Sequence, residues 1–293
     1  MLVTPLSDEV RSSLRKYGIT PRKKLGQSFL INSSIAREIV KAASLKRNDD
    51  VLEIGGGLGV LTRWLVESAR KVFVVEKDRG LANALRSSFA EHDNLEVMEG
   101  DALEIQLPKV SKIVANLPYS VSSPLTFRLL DYVDFQQAVL MYQKEFAQRL
   151  LAKPGTSEYS RLTIEVNYRA NVEMIMQVNA REFYPVPKVD SMVVRLVPRE
   201  SGPVAQNEGV FHWMVRGVYS YPNKLIRKAF GIWFRNLSCE DSVLAAFIQR
   251  CSGEFNGSER LRDLDLGMLV KLSDHVLEMI NDGLVPYEER EQE

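Results

Sequence analysis

Val51-Leu52-Glu53-Ile54-Gly55-Gly56-Gly57-Leu58-Gly59 decides the fold of this 293-residue chain. It reads as a buried strand running into a glycine-rich turn and then a helix. A parallel sheet builds a nucleotide pocket in this way, outside the carboxyl ends of its strands. A second stretch, Asn116-Leu117-Pro118-Tyr119, follows the apolar run Ile113-Val114-Ala115, which reads as another central strand of that sheet. Both motifs then end at one sheet edge, the first to hold a cofactor and the second a substrate.

Outward from these motifs the pattern is regular. Strands expected over 50–54, 71–76, 94–98, 111–115 and 135–142 alternate with helices over 58–69, 79–90, 122–131 and 143–152. That alternation implies an α/β fold, a Rossmann-like parallel sheet flanked by helices. Upstream, a short helix is expected over 7–17 and an amphipathic one ending near Ala43, with Asn32, Ser33 and Ser34 as cap candidates. From Arg161 to Val197 the pattern reads as strands broken at Phe183-Tyr184-Pro185-Val186-Pro187, closing the sheet with an antiparallel hairpin. The stretch from Pro198 to Glu208 reads as a linker, and helices follow over 209–219, 223–236, 240–250 and 265–281. The division is a catalytic domain over 1–199 and a small helical C-terminal domain over 200–293.

A composition of 45% hydrophobic and 26% charged residues is that of an ordinary soluble globular protein. Met1 to Tyr17 carries Asp8, Glu9, Arg11, Arg15 and Lys16 without an apolar run, so neither a secretory signal nor a membrane span is expected there, and the expected address is cytoplasmic. Cys239 and Cys251 are too few for a disulfide framework or a thiolate metal site and read as packing residues; no metal is expected.

The formal net charge is zero, which alone argues against a nucleic-acid partner, but its distribution argues for one. No acid lies between Glu9 and Glu38, where Arg22, Lys23 and Lys24 fall, or between Glu208 and Glu240. In the second segment Arg216, Lys224, Arg227, Lys228 and Arg235 lie among Trp213, Tyr219, Tyr221, Phe230 and Trp233. Such segments suit a phosphate footprint; the alternative is solvated faces over core aromatics.

Gly55, Gly57 and Gly59 leave no side chain in the turn, so backbone can approach a ligand closely. The dinucleotide pattern G-x-G-x-x-G is broken by Val60. Glu76 ends the next strand, where a carboxylate meets both hydroxyls of a ribose, and Asp101 after the following strand is placed to accept from an adenine amino group. Each acid alone would be a surface or capping residue. Together with Glu53 they form the layout of a class I S-adenosylmethionine pocket.

Asn116-Leu117-Pro118-Tyr119 resembles the signature of methyltransferases acting on amino groups conjugated to a ring. The N6 lone pair of adenine is delocalised into the ring, so the amine is a poor nucleophile. The Asn116 side-chain oxygen and the Leu117 carbonyl can accept its two N–H bonds, favouring a pyramidal nitrogen aimed at the sulfonium methyl. Pro118 fixes the turn and Tyr119 offers a ring for stacking. Phe183 is the candidate for the opposite face of a flipped base. A plain turn after a strand is the alternative for this motif taken alone.

At this point the chain closely resembles the KsgA-type family of small-subunit ribosomal RNA adenine dimethyltransferases. Gly26-Gln27-Ser28-Phe29-Leu30 matches its N-terminal motif, and Glu53 to Thr62 its cofactor loop, in a form with Gly56 that looks archaeal where bacterial members commonly carry proline. Val75 to Asp78, Gly100 to Leu103, Asn116 to Tyr119, Met141 to Leu150, Tyr159 to Leu162 and Phe183 to Ser191 complete the match.

The resemblance implies transfer of two methyl groups to N6 of each of two adjacent adenosines, in the hairpin loop near the 3′ end of small-subunit RNA. It implies a cofactor set of Gln27, Ser28, Leu30, Glu53, Gly55, Gly57, Glu76, Lys77, Asp101, Ala102 and Asn116. Gln27 and Gly55 would face the methionine part, Glu76 the ribose and Asp101 the adenine. Asn116, Leu117, Pro118, Tyr119 and Phe183 would hold the base, and Arg22, Lys23, Lys24, Lys224, Arg227 and Lys228 the RNA. The implied partner is a small-subunit precursor, met by a monomer with no membrane association. Ser28 departs from the family's Asn or His, the basic cluster over 223–228 is sparse, and the acidic tail of Glu288, Glu289, Glu291 and Glu293 has no counterpart we can place. The rivals are a large-subunit RNA adenine methyltransferase and an inactive assembly or transcription factor of the same fold.

Overall fold

The structure is a computed structural model and describes residues 10, 12, 14–21, 27–132 and 134–287. Of the helix expected over 7–17, residues 7–9, 11 and 13 lie outside the described residues. The described chain forms two compact units, one up to Ala147 with Ala170–Pro198 added, the other made of Gln148–Arg169 and the chain from Arg199 onward.

The first unit runs β1 (Phe29–Leu30), α1 (Ser33–Ala42), β2 (Asp50–Ile54), α2 (Thr62–Ser68), β3 (Lys71–Glu76), α3 (Arg79–Ser88), β4 (Leu95–Glu99), β5 (Lys112–Asn116), α4 (Ser122–Tyr132) and β6 (Gln137–Gln143). After α5 (Lys144–Leu150) and α6 (Arg161–Arg169) it resumes with β7 (Ala170–Val178), β8 (Phe183–Tyr184) and β9 (Ser191–Pro198). Seven strands form one sheet in the order β4-β3-β2-β5-β6-β9-β7. The pairings from β4 through β6 are parallel, and β9 is antiparallel to both its neighbours.

The strand order reverses between β2 and β5, which pair with Val51 opposite Lys112 and Leu52 opposite Ile113. Ligands of open α/β sheets bind at such a switch point. The glycine turn and Asn116-Leu117-Pro118-Tyr119 therefore leave the sheet side by side, as the sequence predicts.

Val51, Val72, Val74, Val114, Val139, Met141 and Val193 share one core cluster with Ala36, Ile39 and Val40 of α1 and Leu65 and Val66 of α2. The alternate residues Leu52, Ile54, Val75, Ile113 and Ala115 are equally buried. Strands covered on both faces explain the continuous apolar runs. Asn32 caps α1, its side chain accepting from the N–H groups of Ser34 and Ile35. Helix α2 starts at Thr62 rather than at 58, because Gly59 sits at φ +79° and holds the chain out of the right-handed helix.

One expected stretch is corrected. Arg161–Arg169 is a helix, although the segment reads as strand. Leu162, Thr163, Ile164, Glu165, Val166 and Tyr168 are all buried, so no polar face marks a helical period, and the β-branched residues imitate a strand.

The second unit continues with α7 (Glu208–Val218), α8 (Ile226–Asn236), α9 (Asp241–Cys251) and α10 (Leu266–Asn281). The sequence division after residue 199 meets the end of β9, but Gln148–Arg169 groups with the helices instead of the sheet. Tyr159, Ile164 and Tyr168 join the core of α7 to α10, and the Tyr159 hydroxyl donates to the Leu264 carbonyl at 2.9 Å. Tyr219, Phe230 and Trp233 belong to that same core, so these aromatics of the acid-free segment are packing residues. Among the described residues no helix is long and apolar enough to cross a membrane.

Candidate active site

The pocket lies at the switch point, within the first unit. Gln27, Ser28 and Leu30 line it from the β1 segment, Glu53, Gly55 and Gly57 from the end of β2 and its turn, and Glu76 and Lys77 from the end of β3. Asp101 and Ala102 follow β4, and Asn116, Leu117, Pro118 and Tyr119 follow β5. Every residue expected at the cofactor, and every residue expected at the base except Phe183, thus faces one cavity.

Glu76 fastens the glycine turn. One carboxylate oxygen accepts the N–H of Gly57 at 3.0 Å and the other that of Asp78 at 2.9 Å. Each oxygen keeps a further lone pair for a ligand. Burial pushes its pKa up. The turn fits closely against β3: a Cβ on Gly56 would lie 2.4 Å from Cγ1 of Val74, so no larger residue fits at 56 without movement.

Asp101 accepts the Leu103 N–H at 2.9 Å and pairs with the Lys77 ammonium, and that hydrogen bond holds its carboxyl below the usual range. It is an ionised acceptor. Glu53 differs: it is 1% exposed and accepts from the Thr62 hydroxyl at 2.6 Å. Burial, aided by the nearby charge of Glu76, pushes its pKa up to about 8.

Asn116 ends β5, and its side-chain oxygen is buried without a hydrogen-bond partner among the described residues. An unsatisfied buried acceptor costs free energy and can take a donor supplied by a ligand. The Leu117 N–H donates to the Met141 carbonyl of β6 at 3.2 Å, and Leu117 lines the pocket. The Tyr119 hydroxyl lies 2.6 Å from that of Ser191.

Phe183 is corrected. Its ring is 0% exposed and packed in the core cluster of the sheet, and its backbone pairs with Leu30. Without exposed surface its ring presents no face to a base in this structure, and it packs with Leu30 in the same core cluster. Ser28 donates to the Pro185 carbonyl at 3.0 Å, so its hydroxyl ties that segment to the β8 loop.

Arg22, Lys23 and Lys24 lie outside the described residues. Lys224, Arg227 and Lys228 are exposed on the second unit, around a concavity they share with Arg235, Glu240 and Asp241. Sequence reasoning assigned no role to Thr62 or Ser191, although both fall inside quoted motifs. Their partners are Glu53 and Tyr119, and only spatial proximity reveals them.

The donor set fits S-adenosylmethionine: a side-chain-free cradle, an acid at the end of β3 and an ionised acceptor after β4. This fold and site define a class I S-adenosylmethionine-dependent methyltransferase. The family model described as ribosomal RNA adenine dimethylase matches residues 18–242, and the chain belongs to that family. It is 43% identical over 222 residues to the "Probable ribosomal RNA small subunit methyltransferase A" of Thermococcus sibiricus, covering 75% of this chain and 79% of that one. Among solved structures it is similar to a dimethyladenosine transferase from Plasmodium falciparum, with a TM-score of 0.78, 34% identity, and 88% and 99% of the two chains covered. It also resembles the 23S rRNA methyltransferase ErmE, with a TM-score of 0.64, 26% identity, and 84% and 98% covered. The protein is an S-adenosylmethionine-dependent rRNA adenine dimethyltransferase.

Proposed function

We propose that this enzyme dimethylates N6 of two adjacent adenosines in the 3′-terminal hairpin loop of small-subunit rRNA, and that it acts as a cytoplasmic monomer on a small-subunit precursor during assembly. The observation that carries the reading of the site is the buried, unpartnered side-chain oxygen of Asn116 beside the glycine cradle. Relatives named for the small subunit share more of this sequence than ErmE does, which favours the small-subunit branch. Glu76, Asp101, Asn116 and Tyr119 are all in place around the pocket, which speaks against an inactive assembly factor.

The cofactor supplies an electrophilic methyl group on a sulfonium. Glu76 would hold the ribose hydroxyls, and Asp101 would accept from the adenine amino group. The Asn116 oxygen and the Leu117 carbonyl accept the two N–H bonds of the target amine and orient its lone pair. After the first transfer the remaining N–H still has an acceptor, which permits a second. Tyr119 stacks on the extruded base, an interaction worth about 1–3 kcal/mol. No ionised general base is required, since the amine attacks neutral and sheds its proton afterwards.

The test is transfer of labelled methyl groups to isolated small and large subunits from a strain lacking the modification. Label in the small subunit alone is expected; label in the large subunit alone would move the assignment to the other branch.

A further inference from the structure

Ser191 is the first residue of β9 and is 0% exposed. It is opposite Gln143 of β6 on one side and Val178 of β7 on the other. Its chain neighbour Asp190 is pinned as well: the Asp190 carbonyl accepts from Lys144 N–H at 2.9 Å, and its carboxylate accepts from Ala180 N–H at 2.9 Å and from the Gln177 amide at 3.1 Å. The Ser191 backbone is thus held from both sides at the end of the sheet. It meets the Tyr119 hydroxyl at 2.6 Å. Tyr119 itself opens a single helical turn, Tyr119–Val121, between Pro118 and α4. Burial pushes the phenol pKa up, so it stays neutral and able to share this hydrogen bond.

We infer that Ser191 is a positioning residue for methyl transfer, holding the long axis of the Tyr119 ring through the hydroxyl–hydroxyl bond. The inference rests on the reading of Tyr119 as the stacking face for the target base. A stacked base takes its tilt from the ring beneath it, and the tilt sets the line from N6 to the methyl group. Rotation about χ1 of Tyr119, which swings the ring's long axis, would otherwise leave that line loose. Fixing the distal oxygen to the sheet removes that swing; χ2 turns the ring about the line through this oxygen and is left to the packing around Tyr119.

The experiment is a double-mutant cycle on the full chain: Ser191→Ala, Tyr119→Phe, the pair together, and Tyr119→Ala. Single-turnover transfer to unmodified small subunits, cofactor binding by calorimetry and thermal unfolding are measured for each. Ser191→Ala and Tyr119→Phe should each slow transfer by about tenfold, as expected for a misoriented reacting group, with cofactor affinity unchanged. The double variant should be no slower than either single one, because both remove the same bond. A purely structural hydroxyl would lower the melting temperature and leave the single-turnover rate alone. Wild-type rates in both single variants with Tyr119→Ala inactive would overturn the inference and leave the stacking role standing. Multiplicative losses in the double variant would overturn it too. A wild-type rate in Tyr119→Ala would instead overturn the stacking role on which it rests.

Discussion

Glu76 accepts the backbone N–H of Gly57 at 3.0 Å, which makes the acid ending β3 and the glycine turn after β2 one unit. The turn is thereby held by a group that also lines the pocket. With Glu76 at the ribose, as proposed, the loop and the ribose site would stand or fall together.

Glu76→Gln tests this coupling. An amide places one N–H group where the carboxylate accepted, so Gly57 or Asp78 loses its partner. Hydrogen bonds to charged groups are worth about 1.5–3 kcal/mol, so cofactor affinity should fall roughly ten- to a hundredfold in calorimetry. Unchanged affinity would remove Glu76 from the cofactor site.

Asn116→Ala separates binding from chemistry. The variant removes a buried acceptor that has no partner among the described residues, so stability should hold or rise slightly and cofactor binding should persist. Single-turnover transfer should slow by roughly a hundredfold or more, the range seen when a preorganised polar group at a reacting centre is lost. Near-wild-type transfer would take Asn116 out of the mechanism.

Glu53 predicts a pH dependence of stability with a definite sign. Its folded pKa, about 8, lies above the ordinary value of 4.5, so the native state keeps a proton that the unfolded chain releases. The stabilisation from that proton is full below the unfolded value and is lost as pH rises through the folded one. The wild-type melting temperature should therefore fall from about pH 5 to about pH 8.5 relative to that of Glu53→Gln, whose side chain is neutral throughout. Parallel profiles for the two proteins would show that Glu53 is ionised at neutral pH.

Phe183→Leu distinguishes a core role from a base-stacking one. Phe183 is fully enclosed, and truncation of a buried Phe to Ala costs about 3–5 kcal/mol. Leu refills most of the volume, so the variant should unfold somewhat earlier yet transfer methyl groups at close to the wild-type rate. Full stability with collapsed transfer would restore the stacking role.

Reversing the charge at Lys224, Arg227 and Lys228 should weaken subunit binding more at low salt than at high salt. Each lost phosphate contact lowers the slope of log affinity against log salt by about 0.7–0.9. An unchanged slope would reduce the patch to a solvated helix face.

The sheet was legible because its strands are short apolar runs separated by glycine, proline and helical spacing, and the three acids could be placed by their position at strand ends. Helix α6 was not, because burial on every side erased its period. The place of Phe183 was hidden for a related reason. An aromatic beside a Pro-rich turn reads as a ligand platform, and only the pairing of β8 with β1 shows that its ring turns into the core. Ser191 and Tyr119 are 72 residues apart, a separation that no local pattern bridges.

The most direct test of the account is the identity of the product. Small-subunit RNA methylated by this enzyme would be digested to nucleosides and mapped by mass spectrometry. The account predicts N6,N6-dimethyladenosine at two adjacent positions near the 3′ end, and none when Asn116 is replaced by Ala. Methyl groups on another atom or another base, or N6,N6-dimethyladenosine confined to large-subunit RNA, would contradict it.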